Sequence, residues 1–504
     1  MRTKNALLNL MTGLIPQLIL GLLGLFKIKL FIQQLGIEYN GLIQLFAQLF
    51  AYFNLVESSI EASVKFRLFK LLVLKEAQAI NRILKGAKIF FNRVAYSVVL
   101  ISIGMSFKLD LFIKNSPFQT TQIQILFLLY VINTVIPYFF IGDRVLLSSD
   151  QKLYRINTIY NVSLIIRTLT EIAYLMMGKD IYVFVTISIG FTLVSNLILK
   201  WVVHREYRWY QTRHALADFS FKDDMKHLIP QKIMDVVAKN TDLIIISAFL
   251  GIRFTSIYGI YNYILGFVSQ SVNQVGSALY SVVGNFNASE SLSKIKALFD
   301  EYLFMTIFLA NLLCIPIFFT INGFIRLWVG EAMLIDTQTV ILFIIILYYT
   351  IIVMPIGTFI SVNGLFKDVK ISTGLEMGLN VSLSILLVQW IGIKGVLVGT
   401  IISILLSSFM YSPYVLYKKL FKSSLKDYFK KFVLSLGISA VLILIISQLP
   451  IPTLYTSFFE WFLIGVGVFA MNLTLLVFLS SLLFRTELNM VLRRFKLSSR
   501  KVVS

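Results

Sequence analysis

The sequence of 504 residues contains few charged residues, three histidines and one cysteine. Only 14% of its residues are charged and 57% are hydrophobic, whereas soluble domains average about 25% and about 45–50%. A soluble fold of this length cannot bury so much apolar surface, and disorder requires low hydrophobicity, so both classes are excluded. The lone cysteine, Cys314, excludes an internal disulfide framework. The sequence also lacks a nucleotide-binding P-loop and any metal-ligand spacing around Cys314.

Long apolar runs are abundant instead. About fourteen segments reach the roughly 20 apolar residues that a membrane helix needs, which predicts an all-α integral membrane protein. The predicted spans are residues 7–26, 41–62, 89–107, 122–142, 156–177, 181–203, 229–250, 255–283, 299–320, 339–361, 371–391, 395–416, 432–449 and 461–484.

Lysine and arginine are concentrated in alternate loops between these spans. With the N-terminus in the cytoplasm, roughly 34 of them lie in inner segments and about 8 in outer ones, the latter including Lys27 and Lys29. An even number of spans preserves this alternation, so we expect both termini to be cytoplasmic. The net charge of +21 then reflects membrane topology and contact with anionic lipid, not nucleic-acid binding.

Short motifs recur in the two halves of the chain. Residues 14–17 (Leu-Ile-Pro-Gln) are repeated at 228–231, and Leu35-Gly36-Ile37 is matched by Leu250-Gly251-Ile252. The repeat covers six spans, which predicts two six-helix bundles related by a pseudo-two-fold axis along the membrane normal. The predicted lobes are residues 1–204 and 205–417, followed by two additional helices and a basic cytoplasmic tail over 418–504.

The seventh predicted span carries an unusual set of charges. Lys232, Asp235, Lys239 and Asp242 are spaced to share one helical face. A charge at the bilayer centre costs about 2.5–3.5 kcal/mol on insertion scales, so these residues require an explanation. One interpretation is a stripe facing a wet cavity, where the two lysines bind an anion. The other is a self-neutralised stripe that only locks two helices together.

Uncharged polar residues and a second charged pair occur in two further spans. Arg167 and Glu171, four residues apart in the fifth span, are expected to form an ion pair. In the eighth span Gln270, Asn273 and Gln274 lie on one face, as in a cavity wall that hydrogen-bonds hydroxyl groups or in a helix–helix contact.

Carboxylates within the spans are candidates for ion coupling or gating. They are Glu57, Asp235, Asp242 and Glu376. Cations in the spans do not outnumber carboxylates, so composition alone does not distinguish an anionic from a cationic ligand.

Several ordered motifs resemble one family. They are residues 35–42 (Leu-Gly-Ile-Glu-Tyr-Asn-Gly-Leu), 149–154 (Ser-Asp-Gln-Lys-Leu-Tyr), 240–247, 256–263, 283–285, 324–330 and 395–400. Together they look like bacterial polysaccharide-repeat-unit flippases (Wzx-like), within the polysaccharide transport family of the multidrug/oligosaccharidyl-lipid/polysaccharide exporter superfamily. Segment 149–154 departs from the family pattern at Ser149, where alanine is expected.

This resemblance implies a flippase of the bacterial cytoplasmic membrane that works by alternating access. Its cargo would be an undecaprenyl-pyrophosphate-linked oligosaccharide repeat unit, carried from the inner to the outer leaflet for capsule, exopolysaccharide or O-antigen-like polymer. A polymerase and glycosyltransferases of the same pathway are the implied partners. No cofactor is implied beyond a coupling H⁺ or Na⁺.

Site assignments within this hypothesis rest on the helical spacing. Lys232, Lys239 and Arg167 are expected to hold the pyrophosphate, and the polar face of the eighth span is expected to contact sugars. The four intramembrane carboxylates are then available for coupling or gating.

Three alternatives remain open. A multidrug/cation antiporter of the same superfamily would use an acidic cavity, and a lipid II flippase would carry a closely related cargo. An enzyme such as a polymerase or glycosyltransferase would need a long outer loop, and segments 108–121 and 321–338 are too short for that. We therefore expect a transporter and not an enzyme.

Overall fold

The computed structural model describes residues 2–223, 225, 233–234, 236–237, 240–452, 454–488 and 490. Within these residues the chain forms seventeen α-helices and no β-strand. In chain order they are α1 Arg2–Leu35, α2 Ile37–Leu74, α3 Ala77–Ser106, α4 Thr120–Val135, α5 Ile141–Ser149, α6 Leu153–Met177, α7 Ile181–Glu206, α8 Asp242–Phe249, α9 Ile252–Ser289, α10 Leu292–Val329, α11 Thr337–Ile352, α12 Met354–Val362, α13 Phe366–Ile391, α14 Ile393–Leu406, α15 Ser408–Leu416, α16 Lys426–Ile446 and α17 Phe458–Leu483.

Ten segments of the described chain are long and apolar enough to cross a membrane. Three of them join consecutive helices: Thr120–Ser149, Thr337–Val362 and Ile393–Phe421. Large apolar side chains point outward, among them Leu22, Leu100 and Trp390, which are 70%, 70% and 77% exposed. Apolar surface on this scale requires a lipid environment. The chain is a multi-pass membrane protein, and the predicted all-helical membrane fold is confirmed.

Three further long helices, α2, α6 and α9, are not among these ten segments of the described chain. They correspond to the second, fifth and eighth predicted spans. The seventh predicted span lies partly outside the described residues, which resume as a continuous chain at Asn240. These three helices carry half of the ten candidate site residues, namely Glu57, Arg167, Gln270, Asn273 and Gln274.

The chain divides into two compact units, Met1–Gly259 and Ile260–Ser504. In the first unit, apolar residues of α2, α3, α4 and α5 form the centre of the core, with Phe46, Phe91 and Phe127 fully buried. Helix α1 packs along α6, and α6 packs along α7. The lobe boundaries expected at residues 204 and 417 stay predictions.

Helix α1 runs through Lys27 and Lys29 to Leu35, so the helix is longer than the first predicted span, which ends at residue 26. Hydropathy ends the first span at these lysines, but the backbone hydrogen bonds continue past them. The helix ends where Gly36 adopts a φ of 99°, a left-handed conformation that favours glycine. The matching Gly251 lies between α8 and α9 with a φ of 102°. The repeated Leu-Gly-Ile motif therefore has the same backbone role in both copies.

Helix α2 packs closely against the start of α9. A Cβ on Gly41 would lie 2.0 Å from the backbone oxygen of Ile252, and one on Gly259 would lie 1.3 Å from Oε1 of Gln44. A backbone atom cannot move aside as a side chain can, so position 41 tolerates a larger residue less well than position 259 does. Asn40 Nδ2 donates to Ser256 Oγ at 2.6 Å across the same contact.

In the second unit, buried polar groups join the two C-terminal helices to α10. Asn472 Nδ2 of α17 donates to the backbone oxygen of Asn311 at 3.1 Å, and Ser439 Oγ of α16 donates to Asn311 Oδ1 at 2.6 Å. Asn311 and Asn472 are both fully buried. Such hydrogen bonds hold helices together where lipid supplies no hydrophobic driving force.

The N-terminus of α11 is capped by an acidic residue outside the apolar segments. Asp336 accepts from the backbone N–H of Thr339 at 3.2 Å and forms an ion pair with Lys394 at 3.1 Å. Burial acts to raise the pKa of Asp336, but the hydrogen bonds from Thr339 and Lys394 outweigh it and hold that pKa below its usual value.

Candidate functional site

A fully buried carboxylate joins three helices of the first unit. Glu171 of α6 accepts from Lys27 Nζ of α1 at 3.0 Å, from Arg167 Nε at 2.7 Å and from Ser188 Oγ of α7 at 2.7 Å. The side chain of Glu171 is 0% exposed, whereas those of Lys27 and Arg167 are 24% and 25% exposed. The ion pair predicted between Arg167 and Glu171 is confirmed. We call these four residues the Glu171 cluster.

Two cations and one carboxylate give the Glu171 cluster a net charge of +1. Arg167 lies ten residues before the end of α6, which is about 15 Å along the helix axis. Lys27 likewise lies within the apolar segment of α1, Ile15–Leu35. An excess positive charge at this depth needs compensation, either by water in a cavity or by an anionic ligand.

A second charged network connects α2 to α5. Arg144 contacts both Glu57 and Glu61, the latter at 2.7 Å, and Lys65 contacts Glu61 at 2.6 Å. Two cations and two carboxylates leave this network neutral. Glu57, proposed above for ion coupling, is therefore an ion-pair partner of Arg144 in this conformation.

Sequence reasoning did not identify Arg144 or Lys27 as site residues. Both lie at the edge of an apolar run, where a basic residue is normally interpreted as a loop marker. The available signal for Arg144 is Glu57, an intramembrane carboxylate with no cation three or four residues away, which therefore requires a partner from another helix. Glu171 was already paired with Arg167 in the sequence, so no comparable signal indicated Lys27.

A third set of polar contacts links α2 to the segment that precedes and includes α8. Gln48 Nε2 donates to Asn240 Oδ1 at 2.6 Å, and the hydroxyl groups of Tyr52 and Thr241 lie 2.9 Å apart. Asp242 begins α8 and accepts a hydrogen bond from the Tyr258 hydroxyl at 2.8 Å. The motif at 240–242 thus lies beside the polar face of α2.

Most of the charged stripe predicted in the seventh span lies outside the described residues. This applies to Lys232, Asp235 and Lys239, whose assigned roles stay predictions. Asp242 is described, and its observed partner is a tyrosine of α9.

The remaining candidates are in the second unit. Gln270, Asn273 and Gln274 are exposed on α9, and Asn273 Nδ2 lies 3.4 Å from Ser269 Oγ. Glu376 of α13 accepts from Ser407 Oγ at 3.4 Å. Their roles in binding and coupling stay predictions.

The polar stripe of α13 that includes Glu376 packs against α14. Asn380 Nδ2 donates to Thr400 Oγ1 at 2.9 Å, and Ser384 Oγ donates to the backbone oxygen of Val396 at 3.3 Å. Asn380 and Ser384 are buried, so this part of the stripe serves helix packing.

The second unit also contains an apolar cavity of about 390 Å³. It lies among α10, α11, α14, α15 and α16, and its lining includes Cys314, Ile345, Phe409 and Phe432. A cavity lined in this way suits a hydrocarbon chain and offers nothing to a charged group.

One of the family-like motifs forms an ion-pair network outside the membrane-spanning segments. Lys152 Nζ contacts Asp150 Oδ2 at 2.5 Å, Glu206 Oε1 at 2.8 Å and the Tyr207 hydroxyl at 3.0 Å. Burial acts to lower the pKa of Lys152, but its hydrogen bonds with Asp150 and Glu206 outweigh this and raise it. Arg155 also contacts Glu206. The turn between α5 and α6 is thereby tied to the end of α7.

No family model and no curated protein sequence matches this chain. Its fold, however, matches solved membrane transporters. The lipid II flippase MurJ, in an inward closed conformation, aligns with a TM-score of 0.67 at 16% identity, covering 94% of this chain and 98% of MurJ. An inward-facing multidrug resistance MATE family transporter of the MOP superfamily gives 0.63 at 13% identity over 84% of this chain and 99% of that one.

The eukaryotic MATE transporter AtDTX14 aligns with a TM-score of 0.59 at 11% identity, covering 84% of this chain and 97% of that one. The chain therefore has the fold shared by MurJ and the MATE transporters. This agrees with the fold that the sequence motifs implied.

Proposed function

We propose that this chain is a flippase for undecaprenyl-pyrophosphate-linked oligosaccharide repeat units in the bacterial cytoplasmic membrane. It would carry them from the inner to the outer leaflet by alternating access. The proposal combines a transporter fold with the motifs described above and with an excess of positive charge within the membrane helices of the first unit.

The observation that carries the proposal is the net charge of the Glu171 cluster. Arg167 and Lys27 share one carboxylate, and each keeps about a quarter of its side chain exposed. Arginine has further N–H groups that suit phosphate oxygens. A pyrophosphate that reached this depth would therefore find a cation that is already oriented by Glu171.

The membrane potential favours the proposed direction of transport. One negative charge moved outward across an inside-negative membrane gains about 2.3 kcal/mol per 100 mV. An anionic sugar–pyrophosphate head thus requires less coupling energy than a neutral one. Any remaining coupling is assigned to H⁺ or Na⁺, with Glu57, Asp235, Asp242 and Glu376 as candidate carboxylates.

The contacts of the proposed cargo divide between polar and apolar surfaces. Lys232, Lys239 and Arg167 are assigned to the pyrophosphate, and the exposed residues Gln270 and Asn273, with Gln274, to the sugars. The polyprenyl chain stays in lipid or enters the apolar cavity beside Cys314. Both termini are proposed to be cytoplasmic, with a polymerase and glycosyltransferases as pathway partners.

Two related functions are favoured by specific observations. MurJ is a lipid II flippase, and lipid II likewise has a pyrophosphate-linked head, so it is the second candidate cargo. A drug or cation antiporter is the third, because MATE transporters share the fold and Asp242 places a carboxylate beside Tyr258 of α9.

Transport by purified protein in liposomes tests these alternatives. The assay measures the outer-leaflet appearance of undecaprenyl-pyrophosphate oligosaccharide, of lipid II, and the uptake of a cationic dye, each with and without a membrane potential. We expect the oligosaccharide lipid to move faster than lipid II and the dye. We also expect its transport to be faster with a membrane potential that is positive on the side to which the head group moves than without a potential. Movement of lipid II alone, or of the dye alone, would refute the proposal.

Arg167→Gln tests the anion-binding role separately. This variant removes the excess charge but leaves the Lys27–Glu171 ion pair, so the cluster becomes neutral without an unpaired carboxylate. The matched control is Arg93→Gln, which removes an exposed arginine of α3. We expect Arg167→Gln to slow transport at least about tenfold, equivalent to one lost charge-assisted contact, with the control near wild type. Equal rates would show that Arg167 does not bind the head group.

A further inference from the structure

The first unit contains a basic cleft at the end of the helices where α7 finishes. Its volume is about 440 Å³, and it is distinct from the Glu171 cluster. The cleft is lined principally by Lys88, Asp143, Lys200, His204, Tyr210 and Arg213. These residues come from α3, α5, α7 and the segment that follows α7, so the cleft is formed by tertiary packing and not by one run of basic sequence.

The cations of this cleft form no close ion pair within the described chain, although Asp143 of the same cleft interacts electrostatically with Lys88 and Lys200. Among the residues that the structure describes, Lys88, Lys200 and Arg213 form no ion pair. Arg144 and Lys152, by contrast, each contact two carboxylates. Basic residues that served only to orient the chain would not need to converge on one concave surface. Three cations that converge around a single carboxylate, Asp143, indicate a site for an anion.

The floor of the cleft is buried and polar. Asp143 is 6% exposed, and its Oδ1 has no hydrogen-bond partner among the described residues. His204 Nδ1 lies 3.8 Å from that oxygen and 2.9 Å from the backbone oxygen of Lys200. Asp143 offsets one of the three cations, so the lining carries a net charge of +2 with its histidines neutral.

Tyr210 provides a neutral donor beside this floor. Burial, reinforced by the negative charge of Asp143, raises the pKa of Tyr210, so its phenol stays protonated. A Cβ on Gly142 would lie 2.7 Å from the Tyr210 hydroxyl, so the glycine leaves room for this group. A phenol O–H and lysine N–H groups are suitable donors for phosphate oxygens.

Exposed aromatic rings place the cleft at the boundary between lipid and water. Phe139 lines the cleft with 38% of its surface exposed and packs edge-on against Tyr96, which is 60% exposed. Trp201 of α7 is 60% exposed, with the Arg205 guanidinium 5.3 Å from its ring centroid. Aromatic rings and basic side chains together are typical of the head-group region of a membrane protein.

We propose that this cleft binds the phosphate group of an anionic membrane lipid. The three cations and the Tyr210 hydroxyl would contact the phosphate, and the acyl chains would extend past Phe139 into the bilayer. A basic pocket between membrane helices is a recognised form of anionic-lipid site. The proposal is independent of the transported substrate, since the cleft shares no residue with the Glu171 cluster.

Native mass spectrometry of the full chain tests this assignment. The protein is delipidated and titrated with phosphatidylglycerol, with phosphatidylethanolamine and, separately, with inorganic phosphate. We expect one tightly bound phosphatidylglycerol per chain. Lys88→Gln/Lys200→Gln/Arg213→Gln should weaken that binding by roughly fivefold for each cation, on the order of a hundredfold in total. Lys200→Gln alone should show the single fivefold step.

The matched control is Lys70→Gln/Lys75→Gln/Lys370→Gln, which removes the same charge from exposed positions outside the cleft. It should bind phosphatidylglycerol within about twofold of wild type, because diffuse surface charge contributes little to a detergent-solubilised complex. Equal affinity of the cleft variant and this control would refute the site. Inorganic phosphate binding as tightly as the lipid would refute the lipid and indicate a soluble phosphate ligand.

Discussion

Glu171→Gln should destabilise the protein although it barely changes the size of the side chain. The carboxylate is fully buried and accepts three hydrogen bonds, two of them from cations. The amide retains one acceptor oxygen, which can serve Ser188, but it cannot neutralise Lys27 and Arg167. Two like charges would then face each other within the membrane helices without a counter-ion.

The magnitude follows from the burial of each partner. Removing one member of a buried ion pair costs about 3–5 kcal/mol when the remaining charge is inaccessible to water. Here Lys27 and Arg167 are each about a quarter exposed, so solvent screens part of the loss. We therefore expect Glu171→Gln to lower the free energy of unfolding by roughly 2–3 kcal/mol.

Equilibrium unfolding in mixed micelles of detergent and sodium dodecyl sulfate measures this change, with the fluorescence of the five tryptophans as the signal. The test is a double-mutant cycle with Lys27→Gln. The double variant retains Arg167 as the one charged residue of the cluster and restores the net charge of +1. Its free energy of unfolding should therefore be about 1–2 kcal/mol higher than the sum of the two single-variant losses predicts. Additivity to within about 0.5 kcal/mol would refute direct coupling.

The same variant separates a binding role from a purely structural one. Glu171→Gln raises the net charge of the cluster to +2, so a pyrophosphate head should bind more tightly even as the fold weakens. A cluster that only joins α1, α6 and α7 would lose stability without gaining affinity. Binding of undecaprenyl pyrophosphate to the folded variant, measured at a temperature where it remains folded, distinguishes the two.

Three further outcomes are expected. Lys232→Ala/Lys239→Ala should abolish polymer export at native protein abundance if these lysines bind the anionic head, and normal export would contradict that assignment. Gly41→Ala should lower the thermal stability measurably because its Cβ would overlap a backbone oxygen, whereas Gly104→Ala, which has open space, should not. The pKa of Asp336 is lowered in the folded state, so its ionised carboxylate stabilises the fold at pH values above the ordinary pKa of 3.8, and this stability is lost as the pH falls through the folded-state pKa. Asp336→Asn should remove this acid sensitivity when melting is measured as a function of pH.

The membrane class and the helix positions were predictable because hydropathy is a property of contiguous sequence. The pairing of Arg167 with Glu171 was predictable because four residues of helix fix their proximity. The continuation of α1 past Lys27 was not predictable, because a lysine that ends an apolar run can continue a helix if a distant residue neutralises it. That residue, Glu171, is 144 positions away, and no local pattern specifies such a contact.

The basic cleft was unpredictable for a related reason. Lys88, Lys200 and Arg213 each belong to a cluster of inner-loop charges that topology explains completely. Their convergence depends on the packing of α3 and α7 against α5. What separates them from topology signals is their convergence on one concave surface, and this is visible only in three dimensions.

The Glu171 cluster and the network around Arg144 differ by one carboxylate, and this difference suggests a division of roles. The Glu171 cluster has an excess cation and suits an anionic head group. The network of Arg144, Lys65, Glu57 and Glu61 is neutral and can accept H⁺ or Na⁺ only by weakening an ion pair. Because α5 packs against α6, a change at Arg144 has a direct route to the helix that carries Arg167. Coupling requires that the two sites bias one conformational equilibrium, so Glu57→Gln should change the ion dependence of transport without abolishing head-group binding.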